Sequence, residues 1–141
     1  AVLKLEWKAE YASGNALIDD EHRTLFDLAN AAIGATLGEP AGRGKTRSAL
    51  DRLLEHIAAH FQHEERILEE VGYAKLAQHQ RAHRGLLARA ERLAEDARHG
   101  SLTTGALVEF IAEDVVARHL LWSDREYFPL FATAPVPAPG G

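Results

Sequence analysis

The strongest constraint on how this 141-residue chain can fold is that its apolar helical stripes are interrupted by imidazoles and by a carboxylate. Between Thr46 and Val71, the residues Leu50, Leu53, Ile57, His60, Glu64, Ile67 and Val71 recur at alternating steps of three and four. That is the seam by which a helix faces the interior of a bundle. Between Ala74 and His99 the same seam carries Leu76, His79, His83, Leu86, Ala90, Leu93 and Ala97. His22 heads a stripe with Phe26, Ala29 and Ile33, and His119 shares a face with Val108, Ile111, Val115 and Trp122. A buried, unpaired carboxylate costs several kcal/mol, against a net domain stability of about 5 to 15 kcal/mol, so Glu64 in a seam demands a compensating cation. Five inward imidazoles cannot all find partners among Leu, Ile and Val. A metal centre satisfies both requirements.

The surrounding text fixes the architecture. Asp19 is a suitable N-cap with acids in the turn that follows, which predicts a first helix over about 19 to 37. The stretch GEPAGRGK (38–45) is a connection, since Gly and Pro break helices. Further helices are expected from about Thr46 to Val71, from about Ala74 to His99 with Gly100 closing the end, and from near Thr104 to before Pro129. Long helices joined by short connections predict an all-α, up-down-up-down antiparallel four-helix bundle. Residues 1–18 form an N-terminal extended arm, residues 1–131 one domain, and residues 132–141 a Pro/Gly-rich flexible tail.

Composition narrows the chemistry. Sixteen Lys and Arg against 21 Asp and Glu give a net charge of −5, which speaks against nucleic acid or an anionic membrane as partner. No cysteine is present, so a metal must be held by His and carboxylate. No run approaches the roughly 18 apolar residues of a membrane span, and a cytoplasmic protein is expected. His60 with Glu64, and His79 with His83, lie four apart and share a helical face. Three other histidines serve as a control. His56 and His63 sit beside the seam and His99 at a helix end, so these, like Glu65, are expected at the surface. In the last helix, 100° per residue leaves Asp124 about 140° from His119, and Ser123 or Glu126 aligns better. A π-bulge would bring Asp124 inward; periodicity leaves that choice open.

The segments LEWKAEYASGNALIDDEH (5–22), HFQHEE (60–65), HQRAH (79–83) and HLLWSD (119–124) resemble the hemerythrins, the bacterial branch in particular. The resemblance implies that His79, His83 and His119 hold one iron and His22 and His60 the other. It further implies that Glu64, Asp124 and an oxo or hydroxo group bridge the two Fe ions. Coordination is then one donor short of two octahedra, with the open position on the iron that has two histidines. The family behaviour implied is reversible dioxygen binding, as carrier, store or supplier, with azide or nitric oxide as other small ligands. Competing readings are an oxygen- or redox-sensing module, an enzyme consuming peroxide or nitric oxide, and structural metal binding such as zinc. Phe26, Phe61 and Val116 are expected to wall the open position. Many members carry tryptophan where this chain has Val115, and Trp122 is a candidate to fill that volume. With no Lys, Tyr or spare carboxylate expected on these faces as a general acid, release is favoured over O–O cleavage, and the protein is expected not to be an enzyme.

Overall fold

The computed structural model describes residues 5–38 and 43–131. The regular elements among the described residues are all helical, with no strand. Helix α1 spans Ala16–Gly38, α2 Arg43–Glu70 and α3 Leu76–Arg98. A fourth helix starts as α4 (Thr104–Val108), widens into a π-helix over Glu109–Ser123, tightens to a 3₁₀ turn at Asp124–Tyr127 and ends as α5 (Phe128–Phe131). Helix α1 packs on α2 and α4, α2 on α3, and α3 on the π-helix. Residues 1–4, 39–42 and 132–141, covering part of the expected arm, most of the first connection and the tail, lie outside the described residues.

The start of α1 corrects the expected cap. Asn15, not Asp19, is the N-cap: its Oδ1 accepts the Ile18 N–H at 3.0 Å, which satisfies one of the orphan donors of the first turn. Asp19 lies one turn inside and accepts the Ser13 N–H (2.7 Å), the Ser13 hydroxyl (2.8 Å) and the Gly14 N–H (3.3 Å). The acid therefore staples the preceding loop onto the helix. Gly14 sits at φ 97°, and a Cβ there would collide with the Phe131 carbonyl, so the loop can lie against α5 only with glycine. Helices α2 and α3 both end in Schellman motifs. Gly100, at φ 71°, donates to the Ala97 carbonyl (3.2 Å) while Ser101 N–H reaches Asp96 (2.8 Å), and Gly72 and Tyr73 repeat the pattern on Glu69 and Leu68.

Upstream of α1, Leu5 and Asn30 exchange two hydrogen bonds (2.7 and 2.8 Å), and Ala9–Tyr11 forms a 3₁₀ turn where extended chain was expected. Trp7 packs edge-on against Phe26, with ring centres 5.6 Å apart.

The main core takes Leu25, Phe26, Ile33, Leu50, Leu53, Ile57, Phe61, Leu86, Leu93, Ile111, Val115 and Leu120 from all four helices. The expected seam of α2 fails at its C-terminal end. Leu68 is fully buried, Ile67 is partly exposed and Val71 is 44% exposed. Beyond Glu64 the helix faces a second cluster, Ile18, Leu68 and Tyr127, and a neighbour in a new direction selects a different face. The Trp122 side chain lies outside the described residues. No described helix is long and apolar enough to cross a membrane.

Candidate metal centre

All seven site residues read from the sequence converge in the interior: His22, His60, Glu64, His79, His83, His119 and Asp124 are each at most 5% exposed. Helix α1 delivers His22, α2 His60 and Glu64, α3 His79 and His83, and the fourth helix His119 and Asp124. Asp124 reaches the centre through the π-helix, which runs for 15 residues where only a local bulge was anticipated. Hydrogen bonds from i to i+5 stack residues five apart, and the Asp124 N–H itself donates to the His119 carbonyl. His119 Nε2 consequently lies 3.1 Å from Asp124 Oδ1. Ser123 instead donates its hydroxyl to the Arg118 carbonyl, and Glu126 pairs with Lys75 at the surface.

The two carboxylates divide the histidines into two sets. Glu64 Oε1 faces His79 Nε2 (2.6 Å) and His83 Nε2 (3.1 Å), whereas Oε2 faces His60 Nε2 (3.0 Å) and His22 Nε2 (3.5 Å). Asp124 Oδ1 lies near His79 (3.0 Å) and His119 (3.1 Å), and Oδ2 lies near His22 (3.5 Å). Each acid thus turns one oxygen to a three-histidine half and the other to a two-histidine half.

These contacts fit a cationic occupant. His60 Nδ1–H donates to Glu21 Oε1 (2.9 Å) and His83 Nδ1–H to Glu65 Oε2 (2.7 Å). In a neutral ring whose Nδ1 carries the proton, Nε2 presents a lone pair. Lone pairs would then face carboxylate oxygens, and His83 Nε2 lies only 3.0 Å from His119 Nε2. A cation, or extra protons, must sit among them. Among the described residues His22 Nδ1 has no hydrogen-bond partner, and Asp124 Oδ1 has histidine nitrogens nearby but no well-aligned hydrogen bond. The donor set, imidazole with carboxylate, suits iron and excludes thiolate-dependent metals.

Electrostatics carry the same message. Burial works to lower the His60 pKa, but hydrogen bonds to Glu21 and Glu64 and the charges of Glu64 and Asp124 overcome it and raise it to about 10. His79 is likewise raised to about 10 against burial, by its bonds to Asp124 and Glu64 and by their charges. Burial favours the neutral acid at Glu64, yet contacts with His22, His60 and His79 hold it well below the usual carboxylate range. Burial and the Glu64 charge oppose ionisation of Asp124, and His119 and His79 bring it down to about 2. Two persistent acids in a dry interior attract either protons or metal.

Three expectations require correction. Glu65 is not a solvated charge, since it is partly buried and holds His83. His56 is half-buried rather than at the surface and donates Nε2–H to the Glu21 carbonyl (2.7 Å), whereas His63 is exposed as expected and donates Nδ1–H to Glu21 Oε2 (2.6 Å). His99 is exposed as expected. A tyrosine does border the site: Tyr127, fully buried, donates its hydroxyl to Glu64 Oε2 at 3.0 Å. Burial, then the charges of Asp124 and Glu64, push its pKa far above the ordinary phenol value, so the proton stays on that bond. Tyr127 follows Asp124 by three residues, one 3₁₀ turn, and could have been found had the tighter winding been anticipated. No periodicity marks Glu21, which lies on the flank of its helix.

Of the expected wall residues, Phe26, Phe61 and Val116 are all buried. Phe61 stacks face-on against His83, with ring centres 3.7 Å apart; it lies edge-on to His119 (5.6 Å) and 6.0 Å from the His60 ring. Its closest ring contact is therefore with the three-histidine half.

Comparison with known proteins agrees with this architecture. Residues 13–131 match the family described as Hemerythrin HHE cation binding domain. A Bacteriohemerythrin of Clostridium acetobutylicum is 30% identical over 125 residues, covering 86% of this chain and 96% of the relative. The Bacteriohemerythrin of Methylococcus capsulatus is 28% identical over 122 residues, covering 86% and 91%. A crystal structure of wild-type hemerythrin superposes with a TM-score of 0.80 at 25% identity, covering 90% of this chain and 97% of that one.

Proposed function

Since this chain belongs to the hemerythrin family and is a metal-binding domain of it, we propose that it binds dioxygen reversibly at a pair of iron ions, as a carrier, store or supplier. His79, His83 and His119 would hold one iron, His22 and His60 the other, and Glu64 and Asp124 would bridge them with an oxo or hydroxo group. The observation that carries this reading is the division of the carboxylate oxygens, with Glu64 Oε1 toward His79 and His83 and Oε2 toward His22 and His60. A single ion would draw the oxygens together; two adjacent ions call for one oxygen each. The unequal sets, three imidazoles against two, would leave the open position for a small ligand at the two-histidine half.

When bound, the iron pair supplies the electrons by which dioxygen is held. The protein's own contribution is exclusion and restraint. Phe26, Phe61 and Val116 offer an apolar surround that keeps water out. Tyr127 commits its proton to Glu64 and does not stand free as a general acid, which supports binding and release over turnover. The packing of α1 on α2, α2 on α3, α3 on the π-helix and α4 on α1 supports the up-down-up-down antiparallel arrangement, with the segment from Leu5 to Tyr11 as an arm beside it. Metal analysis combined with an anaerobic-to-aerobic optical titration tests the reading. Two irons per chain and a visible band that appears with oxygen and disappears on its removal are expected. A zinc-only protein, or iron that shows no reversible change, refutes it.

A further inference from the structure

Glu21 is surrounded by three histidines of one neighbouring helix. Its Oε1 accepts from His60 Nδ1 (2.9 Å), its Oε2 from His63 Nδ1 (2.6 Å), and its carbonyl from His56 Nε2 (2.7 Å). The residue lies on α1 immediately before His22, and its side chain is only 14% exposed. His63 is 46% exposed and grips the far oxygen, while His56 grips the backbone. Carboxylate and main chain are thus both fixed from α2, and the near oxygen has one orientation toward His60. The second imidazole of that half receives no such support, because His22 Nδ1 lacks a partner among the described residues. In the other half, Glu65 plays the corresponding part for His83.

We propose that Glu21 is the positioning residue of the two-histidine half, locking His60 in the tautomer whose Nε2 lone pair points into the site and strengthening that nitrogen as a donor. His56 and His63, which supply no donor to the site itself, hold Glu21 in place. The physical basis is general: a carboxylate on the remote ring nitrogen fixes tautomer and ring orientation and raises basicity, and its loss costs about 10- to 100-fold in metal affinity or activity. The inference rests on the reading that His60 binds metal.

The test follows metal loss from the loaded protein into excess chelator, counted by metal analysis over time, for wild type, Glu21→Gln, Glu21→Ala and His60→Ala. Glu21→Ala is expected to load both metals and then release one of them about 10- to 100-fold faster than wild type, the other leaving at the wild-type rate. Glu21→Gln, which still accepts an N–H but carries no charge, falls between the two. A merely structural role would speed both metals together, in step with a lower melting temperature, and that result overturns the proposal. So do wild-type kinetics in the Glu21 variants when His60→Ala has lost one metal. If His60→Ala itself keeps both metals at wild-type rates, the reading of His60 as a metal donor has failed and the proposal falls with it.

Discussion

Replacing Tyr127 by phenylalanine isolates one interaction at the centre of the molecule. The hydroxyl donates to Glu64 Oε2 at 3.0 Å, and both residues are at 0% exposure, so no bulk water can take its place. Phenylalanine keeps the ring and its packing against Tyr73, His79 and Phe131, and no large cavity opens. What is lost is a hydrogen bond to a charged acceptor, worth about 1.5 to 3 kcal/mol. For a chain of this size each kcal/mol moves the melting temperature by roughly 3 to 5 °C. Tyr127→Phe should therefore melt about 6 to 10 °C lower for a loss near 2 kcal/mol, while metal analysis still finds both ions, because Tyr127 is not among the proposed donors. Since burial and the two nearby carboxylates hold the phenol protonated, the loss should be the same at about pH 6 and about pH 9. Thermal denaturation of the loaded protein measures it. A change below about 0.5 kcal/mol, the range of ordinary surface substitutions, refutes the assignment of Tyr127 as a buried restraint on Glu64.

Glu64→Ala and His79→Ala should each lose metal and destabilise the fold by about 3 to 5 kcal/mol, since either leaves buried partners uncompensated; unchanged metal content and melting temperature in both would contradict this. Val116→Glu places a charge in the proposed wall, and oxygen release should change while both irons remain; unaltered release kinetics count against that wall. The metal-free chain has its own pH signature. His60 and His79 are raised from 6.5 to about 10, so their contribution is complete below about pH 6.5 and is lost as pH rises toward 10, at up to about 1.4 kcal/mol per pH unit for each. Melting temperatures of the metal-free protein should fall across that window, and a rise would refute the assignment. Loading metal displaces those protons, so metal affinity should strengthen over the same range.

The division between legible and illegible follows the distance over which each signal acts. On α3, His79, His83, Leu86, Ala90, Leu93 and Ala97 share one face in the sequence and are all buried in the structure. These six face the interior between α2 and the π-helix, and a constant period suffices, whereas Leu76 at the head of the expected seam is only partly buried. On α2 the same method goes astray after Glu64, where Leu68 turns toward Tyr127 and Ile18. The N-cap lies four residues before the expected Asp19, because Asp19 and Asn15 are both good caps by composition. Only the loop through Ser13 and Gly14 decides which one faces the first turn.

Six of the seven converging side chains, all but Asp124, are legible because burying imidazole and carboxylate in apolar seams costs too much to occur without a purpose, and that cost is visible wherever the pattern is regular. Asp124 comes by resemblance, since helical geometry at 100° per residue points elsewhere, and the π-helix that brings it inward departs from that period. Glu21, Glu65, Tyr127, His56 and His63 form the surrounding support, and apart from the three-residue step from Asp124 to Tyr127 no period in the sequence joins them. They meet across helices, as with Glu21 and His60 at a separation of 39 residues, and hydrogen bonds between elements depend on rotation and depth that no local period encodes. The amino-acid order by itself determined the apolar stripes and that they carry a charge-demanding donor set, because the period of a stripe is a property of each helix alone. Only the folded chain decided how the donors divide between two halves and what orients each, because that depends on how four helices rotate against one another.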